Sequence, residues 1–252
     1  MNPVELLIAG QFSEAAEALK SALASEPDRI GWVDGLAKCY CYLGDYEAAL
    51  PLLQRVHAYQ KAANRGSPGQ QLQISVARWC LGDSAEAVAI TRQLCVQLAS
   101  SAINMAPDRA GGATFGLILH YMAARIQSYP DLEFAIECLA KLDNLYDSRP
   151  RFYDYPLHTV RQVLGKCSFD SVLEAATGGQ TLEAARQKAL TDRAMGVALG
   201  VALFHDGVLA LLREDRASWQ RRMVEASDLG RGTEVLRWQL ARWEVSSPNR
   251  SA

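Results

Sequence analysis

Histidine is scarce in this sequence, and the four present (His57, His120, His158 and His205) stand at no spacing that a metal site uses. The six cysteines at 39, 41, 80, 95, 138 and 167 include no CxxC pair, and Cys39 and Cys41 would point to different sides of a helix. No metal site is therefore expected, and the thiols read as reduced, buried, small hydrophobes. An excess of positive charge is also missing: 26 Lys and Arg against 28 Asp and Glu give a formal charge of −2. Nucleic-acid affinity needs cations that displace counterions, so no nucleic-acid partner is expected. The opening Met1-Asn2-Pro3-Val4-Glu5 has neither the basic run nor the apolar stretch of a secretory signal. The most apolar stretch, Ala194 to Phe204, is interrupted by Gly196 and Gly200 and then meets His205 and Asp206. Read as too short to cross a bilayer, it is expected to be a buried helix, with no membrane partner and a cytoplasmic location.

Catalytic signatures are absent too. There is no GxSxG, P-loop, HExxH or glycine fingerprint following a strand, and strand patterns themselves are nearly missing. Two isolated candidates carry little. His205 and Asp206 are adjacent, and adjacent helical residues do not face each other. Asp170 and Glu174 lie one helical turn apart, where a solvated helix face explains them far better than a carboxylate pair. With no convergent set of groups, no reaction class follows; the chain is expected to be a non-enzyme with no cofactor.

What the sequence does contain is a repeat. Hydrophobic residues make up 49% of it and charged residues 21%, enough for a real core and an ordinary surface. Gly10-Gln11-Phe12-Ser13-Glu14-Ala15-Ala16 and Gly44-Asp45-Tyr46-Glu47-Ala48-Ala49-Leu50 are versions of one segment, and Gly82-Asp83-Ser84-Ala85-Glu86-Ala87-Val88 is a third. The longer second interval fits an expanded loop at Asn64-Arg65-Gly66-Ser67-Pro68-Gly69. Each glycine is expected to end a helix in the left-handed conformation, and a polar residue then starts the next. Asp83 with Glu86 has capping-box spacing. Phe12 and Tyr46 are placed to wedge between paired helices, while Ala15, Ala49 and Ala87 fall where two helices must approach closely.

On these residues the chain resembles the tetratricopeptide repeat family. The second unit matches best, with Leu36, Ala37, Tyr40, Gly44, Tyr46, Ala49, Leu53 and Val56 on signature positions. It departs from the family at Pro51, inside a helix, and the third unit has Ser84 and Arg78 where aromatics are favoured. The resemblance implies an all-α, tetratricopeptide-like α-solenoid of antiparallel helical pairs, clear over residues 1–105. Residues 106–245 are expected to form a degenerate helical-repeat or bundle region, beginning with a linker at 106–112, and residues 246–252 a disordered tail. Helices are expected at 113–127, 132–142, 160–164, 169–176, 181–190, 191–212 and 217–226. A last helix, 233–245, has Leu236, Leu240 and Trp243 on one face and an Arg-rich opposite side suited to a solenoid cap.

Stacked helical pairs leave a concave groove lined by the first helix of each unit. By resemblance, Asp34, Lys38 and Tyr42 of unit two and Val76 and Trp79 of unit three should face it and bind a partner protein. The asparagines of a chaperone-type carboxylate clamp are missing from those positions. A second partner-binding candidate is the aromatic and charged stretch around Tyr146, Asp147, Arg149, Phe152, Tyr153 and Asp154, residue types that anchor interfaces. Residues 202–212 and 217–226, with Asp206, Asp215 and Trp219, resemble the C-terminal part of all-helical immunity proteins of bacterial polymorphic toxin systems. Two protein-binding roles follow: an immunity protein that blocks the active site of a cognate toxin, or an adaptor or secretion chaperone that holds peptide segments in the groove.

Overall fold

Gly10, Gly44 and Gly82 have φ of 74°, 83° and 90°, a region that glycine enters without steric cost, and each stands where one helix stops and the next begins. The computed structural model describes residues 2–100, 112–146, 155–229 and 236–246. Among these residues the regular structure is entirely helical. Four antiparallel pairs follow in chain order: α1 (Pro3–Ile8) with α2 (Phe12–Ser25), α3 (Ile30–Leu43) with α4 (Tyr46–Ala62), α5 (Pro68–Cys80) with α6 (Ser84–Ala99), and α7 (Ala113–Arg125) with α8 (Tyr129–Tyr146). Each helix packs on the next, as in a solenoid.

The small-residue positions behave as the repeat implies. Ala15, Ala49 and Ala87 are fully buried, and Tyr46 is buried behind its glycine. Local details differ from the motif in three places. Asp83 makes no side-chain cap; its carboxylate turns back to Arg78 Nη1 at 2.6 Å, while Asp45 does cap α4 by accepting from the Ala48 N–H. Pro51 is carried inside α4 without ending it. Tyr129-Pro130-Asp131, expected to join two helices, instead opens α8, because a proline in the first turn removes only a donor that has no intrahelical acceptor.

Beyond α8 the stack continues through α9 (Tyr155–Val163) and α10 (Phe169–Thr177), and then the chain changes direction. After α11 (Leu182–Ala189), the 20-residue α12 (Arg193–Leu212) packs against α7, α9 and α10. α13 (Arg216–Asp228) lies along α12, and α14 (Leu236–Ser246) packs on α13, α12 and α5. The last helices therefore fold back over the first helices of the earlier pairs. One buried cluster runs from Ala37 to Ala241, so residues 1–105 and 106–245 share a core. Residue 246 belongs to α14, and 247–252 lie outside the described residues.

Two expectations change here. The apolar stretch was read as too short to cross a bilayer, but α12, expected at 191–212, is by length and composition sufficient to cross one; it is mostly buried inside the fold. Its small residues let neighbours come close, since a Cβ on Gly207 would stand 2.6 Å from Met223 Cε and 2.9 Å from Arg222 Cβ. And α14 is not an end cap. Leu236, Trp238, Gln239, Leu240, Ala241 and Glu244 are all buried, on more than one side of the helix.

Candidate functional site

The first helices of successive pairs end in the same way. Gly44, Gly82 and Gln127, all at positive φ, donate their N–H to Cys41, Trp79 and Ala124; the next residues, Asp45, Asp83 and Ser128, donate to Tyr40, Arg78 and Ala123. Tyr42, Cys80 and Arg125 are thus equivalent positions in three consecutive units. A helix leaves its last carbonyls without intrahelical partners, and they carry the negative end of its dipole. At Tyr42 and Cys80 those carbonyls face α14.

Three consecutive residues of α14 address these three positions in order. Arg242 Nη1 donates to the Tyr42 carbonyl at 2.6 Å, and Trp243 Nε1 donates to the Cys80 carbonyl at 3.0 Å. Glu244 Oε1 accepts from Arg125 Nε at 2.6 Å. The same carboxylate oxygen accepts from the Tyr121 hydroxyl at 2.7 Å, whose oxygen accepts in turn from Trp79 Nε1 at 3.1 Å. Aromatic rings fill the space between: Trp79 meets Tyr121 and Trp243 edge-on at 5.5 and 6.4 Å, and one turn earlier Trp238 lies 5.9 Å from Tyr42 and 6.3 Å from Phe12. The Arg242 guanidinium sits 4.6 Å from the Trp238 ring centre.

The electrostatics match this geometry. Burial and then the neighbouring Glu244 charge push the Tyr121 phenol well above its usual value, so it stays a neutral donor. Burial lowers Arg125, but the Glu244 carboxylate outweighs it, and the guanidinium remains charged. A buried ion pair of this kind survives because each charge satisfies the other; removing one partner leaves the other stranded. Near the start of α14, Arg237 Nε donates to His205 Nε2 at 3.0 Å.

Of the residues expected in the groove, Tyr42, Val76 and Trp79 do face inward, but they are buried, Tyr42 and Trp79 in direct contact with α14. Asp34 and Lys38 form a half-buried ion pair with each other at 3.0 Å. Tyr146 is the last residue of α8; Asp147, Arg149, Phe152, Tyr153 and Asp154 lie outside the described residues. Three open cavities border the last turn of α14. One of about 490 Å³ is lined by Leu43, Leu81, Arg242 and Trp243; one of about 550 Å³ by Ile8, Phe12 and Ser246; one of about 680 Å³ by Tyr129, Trp219, Val224 and Val245. Among the described residues no group of three or more His, Cys, Asp and Glu is placed to hold a metal. Burial raises the thiols of Cys39 to about 11 and of Cys41 to about 12, which makes them poor nucleophiles.

The sequence reading missed Cys80, Tyr121, Arg125, Arg242 and Glu244, and it placed Trp243 on an end cap. The equivalence of Tyr42 and Cys80 was readable from the repeat, since each precedes its glycine by two residues. Their occupant lies more than 160 residues further along the chain, beyond the reach of any local pattern.

Comparison with known proteins agrees with the repeat. The tetratricopeptide repeat family profile matches residues 6–65, which take in α2, α3 and α4. No curated protein matches the chain. Tetratricopeptide repeats are protein-interaction units, so the match supports a general role in binding other proteins.

Proposed function

We propose that this protein is a non-catalytic adaptor that binds a segment of another protein along the inner edge of α3, α5 and α7. The observation that carries the reading is the equivalence of Tyr42, Cys80 and Arg125. Three successive helix ends present acceptor, acceptor and cation in a row, and three consecutive residues of one helix meet them. Exposed Leu43 and Leu81 extend that edge toward solvent beside the cavity next to Trp243. A cytoplasmic location, with reduced cysteines, belongs to the same proposal.

Toxin neutralisation would be a narrower version with a folded toxin as partner. The residues behind that resemblance have internal roles in this fold. Asp206 accepts from Arg222 at 2.7 Å, Asp215 caps α13 through the Ser218 N–H, and Trp219 is buried. The adaptor reading does not depend on them.

A photoreactive amino acid at Leu81 tests the proposal, with the same group at Tyr59 on α4, the second helix of its pair, as the control. After exposure to host lysate, one dominant protein should crosslink from position 81 and not from 59. Crosslinks from 59 alone, or none from either, would show that this edge is not the binding face.

A further inference from the structure

The inner edge is already filled in the way a partner helix would fill it. We propose that α14 is an intramolecular occupant of this edge, and that the partner-bound protein is one in which a helix of another protein has replaced it. The inference rests on the adaptor reading and specifies its ligand. That ligand is a helix presenting a cation, an indole and a carboxylate at three consecutive positions, with a second aromatic residue one turn earlier.

Each part of that description comes from a group on the scaffold. The Tyr42 and Cys80 carbonyls are main-chain acceptors at the ends of α3 and α5, so they are present whatever helix lies across them and call for donors. The cation suits the first because the helix terminus is negative. Arg125 is charged and largely buried, its side chain 15% exposed, and a carboxylate on the replacement helix would keep the ion pair that Glu244 now makes with it. Phe12 and Tyr42, their rings 4.5 Å apart, form the aromatic seat that Trp238 now fills.

Leu236, Leu240 and Ala241 of α14 belong to the main core, but Arg242, Val245 and Ser246 in its last turn are exposed. Cavities of about 490, 550 and 680 Å³ all touch residues 242–246, so the last turn of this helix is open on several sides. Val245 is 42% exposed between them. A seated α14 lowers the apparent affinity for any competing helix by the fraction of molecules in which the edge is free. Release of α14 is therefore the regulated step.

The test uses the full-length protein and a fluorescent peptide with the sequence of residues 236–246. The double variant Trp243→Ala/Glu244→Gln removes two of the three polar contacts that α14 makes with the Tyr42, Cys80 and Arg125 positions, and leaves the residues of α3, α5 and α7 unaltered. It should bind the peptide at least about tenfold more tightly than the unaltered protein does, and a peptide carrying the same two changes should not bind. A monomeric variant of undiminished helicity that takes up no peptide would overturn the proposal, as would a variant that dimerises by exchanging α14 between copies. Where the variant does not fold, hydrogen exchange on the unaltered protein decides. α14 amides should exchange through an opening that leaves α3 and α7 protected; exchange of α14 only together with α3 and α7 overturns the proposal. A partner that crosslinks at position 81 but is not displaced by the peptide would sink this inference and leave the adaptor reading standing.

Discussion

His205 accepts from Arg237 through Nε2, and burial, with Arg237 and His120 nearby, holds its ring well below the usual histidine range. Burial alone lowers His120 from 6.5 to about 4. Both rings are neutral in the fold and protonate near 6.5 in the unfolded chain, so between those values the unfolded chain binds more protons. Stability should thus be full above pH 7 and fall as the pH drops from about 6.5 toward 4, by at most about 1.4 kcal/mol per pH unit per histidine. Urea midpoints measured across that range check this, and His120→Gln should flatten the slope. A slope unchanged by the substitution would assign the acid sensitivity elsewhere. Protonated His205 cannot accept from Arg237, so acid also undoes one anchor of α14.

Asp143 is a second residue with a distinct signature. Burial raises its carboxyl, but hydrogen bonds from Lys166 at 2.7 Å and Arg161 at 2.8 Å outweigh that and hold it below 3.8. Its contribution is present at neutral pH and is lost only as the pH falls below 3.8. Asp143→Asn should cost about 1–3 kcal/mol at pH 7, read as a lower urea midpoint. The loss should shrink in strong acid, where the native carboxyl is itself protonated; a loss independent of pH would point to packing instead.

At the scale of elements, the close approach of α12 and α13 depends on Gly207. Alanine there gains about 1 kcal/mol of helix propensity, but its Cβ would crowd both Met223 Cε and Arg222 Cβ, and overpacking costs about 1–3 kcal/mol. The Arg222 contact is near its backbone and cannot swing away, so Gly207→Ala should lower the melting temperature. A rise would show that α13 can retreat freely. The repeat elements α1 to α6 were legible in the sequence because their signals are local: a glycine that ends each first helix, an aromatic two residues on in the first two units, an alanine at each crossing. The Asp83 cap was misread because Arg78, a side chain five residues back, competes for the carboxylate.

Across the whole molecule, four of the five tryptophans gather near α14. Trp238 and Trp243 belong to it, Trp79 touches it, Trp219 stacks 6.5 Å from Tyr121, and Trp32 lies apart beneath Arg29. Fluorescence therefore reports mainly on the fold-back junction, and far-ultraviolet circular dichroism on all the helices. If α14 detaches first, the fluorescence midpoint in urea should lie below the helical one. Coincident midpoints would mean that the chain melts as a single unit.

The repeat in the sequence, with the family resemblance it carries, by itself determined that this chain is helical and that its first hundred residues stack as antiparallel pairs. Those properties follow from interactions within one repeat or between neighbours, which recur along the chain and so leave a readable pattern. What covers the inner face was decided only by the tertiary structure. Arg242 and Trp243 reach carbonyls 200 and 163 residues away, and main-chain acceptors leave no mark in a sequence. Glu244 and Arg125 are ordinary charges until burial makes each depend on the other.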